Sequence, residues 1–155
     1  MKSWKDRKEK TWQRPALKVK KLTGSAQLPT RGTPGSAGMD IYSTEDFTLW
    51  PGDIKMIHTG VAVEIPEGYA GLLMTRSSMG KIGVRVAAGA NCIDRDFRGE
   101  VMVCLRNDGQ YLYQANRGER VAQLVIIPYL DCIPIAADEL TPTMRGGGGF
   151  GSTGR

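Results

Sequence analysis

The sequence predicts an all-β fold, a distorted jelly-roll β-barrel or sandwich with one short helical turn and a glycine-rich C-terminal arm. Three observations carry this. The apolar segments are short, mostly four to six residues, and the breaks between them carry Gly or Pro. No window of twelve residues sustains the 3.6-residue period of a packed helix. The last eleven residues, 145–155, hold six glycines and cannot pack as strand or helix by themselves.

Taken in order, Leu17 and Val19 alternate with Lys18 and Lys20, a first strand over 16–22. Residues 23–37 are rich in Gly, Pro, Ser and Thr and read as loop. Strands follow at 39–42, 47–50, 54–58 and 61–65, divided by Pro51-Gly52, Gly60 and Pro66-Glu67-Gly68. A short apolar run occupies 71–75, and 77–83 forms one helical turn with Ser77 placed to cap it. Further strands are expected at 84–86, 92–93, 100–106, 111–114, 119–130 and 133–136.

At 155 residues the chain suits one domain with a real core. Its domain plan is a basic leader over 1–15, a β domain over 16–140 and an arm over 141–155. A single histidine, His58, leaves little room for a multi-His metal site or a paired-His mechanism. Cys92, Cys104 and Cys132 are widely spaced without a C-x-x-C pair, against a zinc site or a disulfide framework and in keeping with a reducing cytosol. Cys92 and Cys104 read as small buried hydrophobes, and His58 as a surface or interface residue without a catalytic partner. No apolar run approaches the roughly 20 residues of a membrane span, and the charged N-terminus lacks the apolar stretch of a secretory signal.

The net charge of +5 is uneven: residues 1–21 carry +7 and the remainder −2. The leader reads as a solvated tail, with contact to nucleic acid or protein as the alternative.

Several patterns suit an anion. Arg76-Ser77-Ser78 follows a strand and opens a helical turn, bringing a guanidinium, hydroxyls and free N–H groups together. The tail from Arg145 through Phe150, Ser152 and Thr153 offers an arginine, hydroxyls and many backbone N–H groups, without the G-K-[ST] ending of a Walker loop. Phe150, an aromatic among glycines, suits closure over a flat ligand. Asp94 and Asp96 read either as a polar turn or as a carboxylate that activates water, and spacing alone leaves both open.

The combination is more specific. Five segments, in order, resemble the five motifs of the trimeric deoxyuridine triphosphate nucleotidohydrolases, the dUTPases. They are Ala37-Gly38-Met39-Asp40-Ile41; Arg76-Ser77-Ser78-Met79-Gly80; residues 90–99, Ala-Asn-Cys-Ile-Asp-Arg-Asp-Phe-Arg-Gly; Gly118-Glu119-Arg120-Val121-Ala122-Gln123-Leu124; and the tail from Arg145 to Gly154. The resemblance spans residues 17–154.

It implies a homotrimer of jelly-roll subunits with shared active sites, cleaving dUTP to dUMP and pyrophosphate with Mg²⁺ in the cytoplasm of a cell or host. Such an activity limits uracil in DNA and supplies dUMP for dTMP synthesis. By the resemblance Asp94 activates the attacking water. Arg76, Ser77, Ser78, Gln123, Arg145, Ser152 and Thr153 contact phosphate. Ala90, Asn91, Cys92, Ile93, Phe97 and Phe150 hold the nucleoside, and Asp40 supports the phosphate network. The ion would be held mainly by phosphates and water rather than by protein ligands. The backbone at 90–93 would pair with the uracil edge, and Phe97 would pack on the deoxyribose and exclude a 2′-hydroxyl.

Three positions depart from the common pattern: Phe97 where Tyr is frequent, Asn91 where Gly is frequent, and Ser78 in place of Gly. The main rival is a dCTP deaminase of the same fold, whose glutamate position is taken here by Cys104. A thiol cannot replace that proton shuttle. A second rival is a phage-type enzyme with an added regulatory protein-binding role.

Overall fold

In the computed structural model, residues 15–87, 89 and 91–149 are described. Eleven strands and one helical turn lie within Lys18–Pro128: β1 (Lys18–Lys21), β2 (Met39–Tyr42), β3 (Phe47–Leu49), β4 (Ile54–Ile57), β5 (Val61–Glu64), β6 (Tyr69–Met74), α1 (Ser77–Gly80), β7 (Val84–Val86), β8 (Cys92–Ile93), β9 (Val103–Asn107), β10 (Tyr113–Ala115) and β11 (Arg120–Pro128). All pairings are antiparallel. One sheet runs β2-β11-β6-β8, a second β4-β9-β7, and β1-β5 and β3-β10 form two-stranded ribbons. The all-β jelly-roll expectation holds.

One core joins these pieces. Ile41, Leu124 and Leu73 come from the first sheet, Ile57, Val84 and Leu105 from the second, and Val61 and Leu49 from the ribbons, all nearly sealed from solvent. Burial alternates where one face meets solvent, as in β7, where Val84 and Val86 are buried and Arg85 is exposed. At about 25 cal/mol per Å² of apolar surface removed from water, these side chains dominate the stability. Two loops cross closely beside β7. A Cβ on Gly83, whose φ is +84°, would lie 2.5 Å from the Gly109 backbone nitrogen, so only glycine fits there.

Three local expectations are corrected. Ser77 does not cap α1; Arg76 occupies the N-cap in extended conformation, with no side-chain cap bond. Residues 133–136 form no strand, because alternation alone supplies no partner for their backbone. Cys92 is exposed rather than buried, because β8 is a two-residue strand at the edge of its sheet, while Cys104 in β9, the central strand of its sheet, is buried.

Beyond β11 the chain lacks regular structure through residue 149, with Leu130, Ile133, Ile135 and Leu140 each more than four-fifths exposed. No helix among the described residues is long and apolar enough to cross a membrane.

Candidate active site

Asp40 is the centre of the most tightly organised polar cluster. It lies on β2, only 3% exposed, with its backbone held on one side by Thr30 (Asp40 N–H to Thr30 O, 2.7 Å) and on the other by β11. Three side chains converge on its carboxylate. Arg76 Nε donates to Oδ1 at 3.1 Å, Gln123 Nε2 to Oδ1 at 3.2 Å, and Arg120 Nη1 to Oδ2 at 3.3 Å. A buried carboxylate is costly unless paired, and here it faces two guanidiniums and an amide.

The strand geometry explains how three distant residues meet. Gln123 pairs directly with Asp40, and Arg120 with Tyr42, two residues along β2. In a regular strand residues 120 and 123 would point to opposite faces. A register shift between Arg120 and Ala122 inserts Val121 as an extra residue, so both side chains reach the Asp40 side. Gly38 leaves room for this arrangement: a Cβ there would lie 3.0 Å from Gln123 Cβ and 3.2 Å from its Cδ. Arg76 comes from the end of β6, where Met79, buried in α1, anchors the turn.

The cluster has one carboxylate against two guanidiniums, a net charge of +1. Each guanidinium has five N–H donors. Arg76 commits Nε to Asp40 and Nη1 to Ser78 Oγ and the Arg120 carbonyl. Arg120 has its side chain half exposed. Ser77 and Ser78 stand exposed beside them. Donors therefore remain for an external anion, and Asp40 orients them instead of binding it. Arg120 was not singled out by the sequence reading. The only signal for it is its place in the Gly118–Leu124 motif, since its direction depends on the bulge.

Asp94 belongs to a different region. Ile93 and Cys92 of β8 pair with Gly71 and Leu72 of β6. The chain then turns through 94–97, with the Phe97 N–H donating to the Asp94 carbonyl at 3.2 Å. Asp94 borders two adjoining clefts, one with Cys92, Arg95, Asp96 and Tyr129, the other with Ile93, Phe97, Glu100 and Met102. Residues 94–99 are exposed, and the Phe97 ring lies on Gly99, where a Cβ would come within 2.6 Å of Cζ. Asn91 uses its carbonyl to accept the Leu73 N–H at 2.7 Å.

Neither Asp94 cleft includes Asp40, Arg76, Arg120 or Gln123. Three strand spacings separate β2 from β8 in the sheet, about 14 Å at 4.8 Å each. Arg145 is a third, separate piece: it is exposed in the arm and donates to the Gly148 carbonyl at 2.8 Å. Ala90, Phe150, Ser152 and Thr153 lie outside the described residues, as does the leader over 1–14. Among the described residues no three His, Cys, Asp or Glu side chains are grouped to hold a metal.

The chain is similar to known proteins over most of its length. The dUTPase family model matches residues 24–154. A deoxyuridine 5'-triphosphate nucleotidohydrolase of Nautilia profundicola is 42% identical over 140 residues, covering 90% of this chain and 99% of the relative. That of Anaeromyxobacter is 44% identical over 130 residues, covering 83% and 88%. Among solved structures, the Staphylococcus bacteriophage 80alpha dUTPase with dUPNHPP superposes with a TM-score of 0.83 at 32% identity, covering 90% of this chain and 99% of the phage protein. A mutant dUTPase of phage phi11 of S. aureus, described with a coordinated structural Mg(II) ion, gives 0.74 at 31% identity, covering 81% and 98%. With the match extending from the loop before Asp40 to the glycine tail, and the same fold in the phage enzymes, the chain belongs to the dUTPase family.

Proposed function

We propose that this protein hydrolyses dUTP to dUMP and pyrophosphate. The observation that carries this reading is the Asp40-centred cluster, which presents oriented guanidinium and amide donors toward solvent in a chain of the dUTPase family.

In this reading Arg76, Arg120, Gln123, Ser77 and Ser78 bind the phosphates. A water held by the Asp94 carboxylate attacks the α-phosphorus, and its proton passes to Asp94. The bond from the α-phosphorus to the α–β bridging oxygen breaks, and pyrophosphate leaves with that electron pair. Asp94 and the cluster must face one phosphate chain, yet stand apart within a single copy. We therefore read the site as shared between copies in a trimer, with Asp94 and Phe97 supplied by one subunit and the Asp40 cluster by another. The exposed apolar segment after β11 supports this arrangement: Leu130, Ile133 and Ile135 find no cover among the described residues of their own subunit. Arg145, Phe150, Ser152 and Thr153 would close over the site from the arm.

Uracil recognition falls to β8. As an edge strand it leaves backbone groups unpaired along its outer side, suited to a base edge with one N–H between two carbonyls. Mg²⁺ fits the residues present only as an ion carried by the substrate. Asp40 spends both oxygens on Arg76, Arg120 and Gln123, and no described carboxylate cage exists. Carried there, such an ion would neutralise phosphate charge and draw electron density from phosphorus. The Cys104 thiol, buried in β9, gives no support to deamination.

The test is product analysis. Purified protein with dUTP and Mg²⁺ should yield dUMP and pyrophosphate and spare dCTP and dTTP. Formation of deoxyuridine diphosphate, or release of ammonia from dCTP, would overturn the assignment.

A further inference from the structure

The hairpin that carries Asp94 and Phe97 is weakly held on its N-terminal side. Among the described residues, two residue pairs and the bond from the Leu73 N–H to the Asn91 carbonyl tie this limb to β6. Its other limb, 97–101, ends in a much denser set of bonds. Glu100 Oε1 accepts the backbone N–H groups of Thr59 at 3.0 Å and Gly60 at 2.7 Å, and Oε2 lies 2.9 Å from His58 Nδ1. Thr59 Oγ1 donates to the Val101 carbonyl at 2.6 Å, and the Val101 N–H donates to Val61 O at 2.8 Å. The 58–61 turn that receives this limb is itself fixed. Gly60 has φ +65°, and a Cβ there would meet Ala26 Cβ at 2.9 Å.

Glu100 also borders the cleft that Asp94 and Phe97 share, three residues beyond Phe97. The limb between them is short and stiffened by the Phe97 ring resting on Gly99. A displacement of the Glu100 backbone is therefore passed on toward Phe97 and the turn at 94–97.

We propose that Glu100 and His58 are positioning residues for this hairpin: the Glu100 carboxylate latches its C-terminal limb to the β4–β5 turn, and the His58 imidazole sets how tightly. The consequence for catalysis rests on the reading of Asp94 and Phe97 given above; the latch itself does not.

The groups facing His58 are Glu100, from the loop before β9, and Glu45, from the loop before β3, whose Oε1 accepts the His58 backbone N–H at 3.2 Å. Both are acidic. The hydrogen bond and charge of Glu100 raise the His58 pKa above its ordinary 6.5, with Glu45 adding to this and burial opposing it. Burial would push Glu100 up, but hydrogen bonds from His58, Gly60 and Thr59 together hold it below the usual carboxylate range. Below the ordinary histidine range the latch includes an imidazolium–carboxylate pair. As pH rises through the raised value the charge is lost and a neutral hydrogen bond remains.

Two measurements test this on the full-length protein. Hydrogen exchange at the amides of residues 91–99, without nucleotide, should be faster in His58→Leu and in Glu100→Gln than in the wild type, after correction for intrinsic rate. Wild-type protection should decline across the titration of His58, whereas His58→Asn, whose amide can donate to the same carboxylate oxygen, should restore protection that no longer depends on pH. The KM for dUTP should rise about two- to fivefold over that range in the wild type and stay flat in both His58 variants, with kcat little changed. Unchanged hairpin exchange in His58→Leu and Glu100→Gln overturns the latch. So does KM that varies with pH identically in wild type and His58→Leu. Altered exchange in a protein that does not turn over dUTP upholds the latch and refutes the proposed activity instead.

Discussion

Gln123 stands directly across the β11–β2 pairing from Asp40 and donates to its Oδ1 at 3.2 Å, in contact with the bare Cα edge of Gly38. The strand pairing fixes the carboxylate and the amide in one frame, and the missing side chain at 38 lets them close.

The first prediction follows from that frame. Gly38→Ala places a methyl group 3.0 Å from Gln123 Cβ, and the amide must swing away from Asp40. The φ at Gly38 is not in the left-handed region, so the fold should tolerate the change. We expect kcat/KM for dUTP to fall by about tenfold, as for loss of one oriented donor at a phosphate site, with thermal unfolding shifted only slightly. Steady-state kinetics beside a melting curve will show whether the two effects separate.

Sharing of the site between copies predicts complementation. Asp94→Asn should retain nucleotide binding and lose turnover by about 10²–10⁴-fold, the range for a general base. Arg76→Ala should lose phosphate binding. Co-expressed and co-purified, the two inactive chains should recover a measurable fraction of activity, since mixed assemblies include sites with both residues intact. Mixtures no more active than either variant would mean each copy works alone.

Gly83→Ala addresses stability. The new Cβ would sit 2.5 Å from the Gly109 nitrogen in a residue at φ +84°, so backbone must move. Steric strain and the left-handed conformation together should cost about 2–4 kcal/mol. Chemical denaturation should show a lower midpoint with an unchanged slope.

Asp108 predicts an acid-side effect. Hydrogen bonds from Arg106 and Arg85 hold its carboxyl below the ordinary 3.8. A lowered folded pKa contributes stability that is present above the unfolded value and lost as pH falls through the folded one. Asp108→Asn should therefore melt below the wild type at neutral pH, and the two curves should converge as the pH drops beneath 3.8. Melting temperatures taken across that range provide the comparison.

Much of the fold was legible because turn residues punctuate it. Met39–Tyr42 and Val84–Val86 emerge with their predicted ends, each bounded by loop or glycine. Alternation misled at 133–136, where a strand pattern has no neighbouring strand to pair with. Capping by Ser77 failed because Arg76 already occupies the cap. At the site, Asp40, Arg76 and Gln123 are each recognisable by motif; Arg120 stands in the same motif as Gln123, but its role there is not legible. Its side chain reaches Asp40 through a register shift that residue types do not reveal. His58 and Glu100 lie 42 residues apart, and only the fold brings them together.

The extra residue at Val121 has a consequence of its own. It makes the phosphate-suited cluster depend on a count as well as on chemical identities. Another apolar residue at 121 would keep the spacing, and with it the cluster. In an unbulged strand this three-residue spacing would send Arg120 to the opposite face, whereas deleting 121 would leave it two residues from Gln123 and restore the shared face. Relatives that carry the same arginine and glutamine two residues apart would need no bulge to keep both side chains in phase.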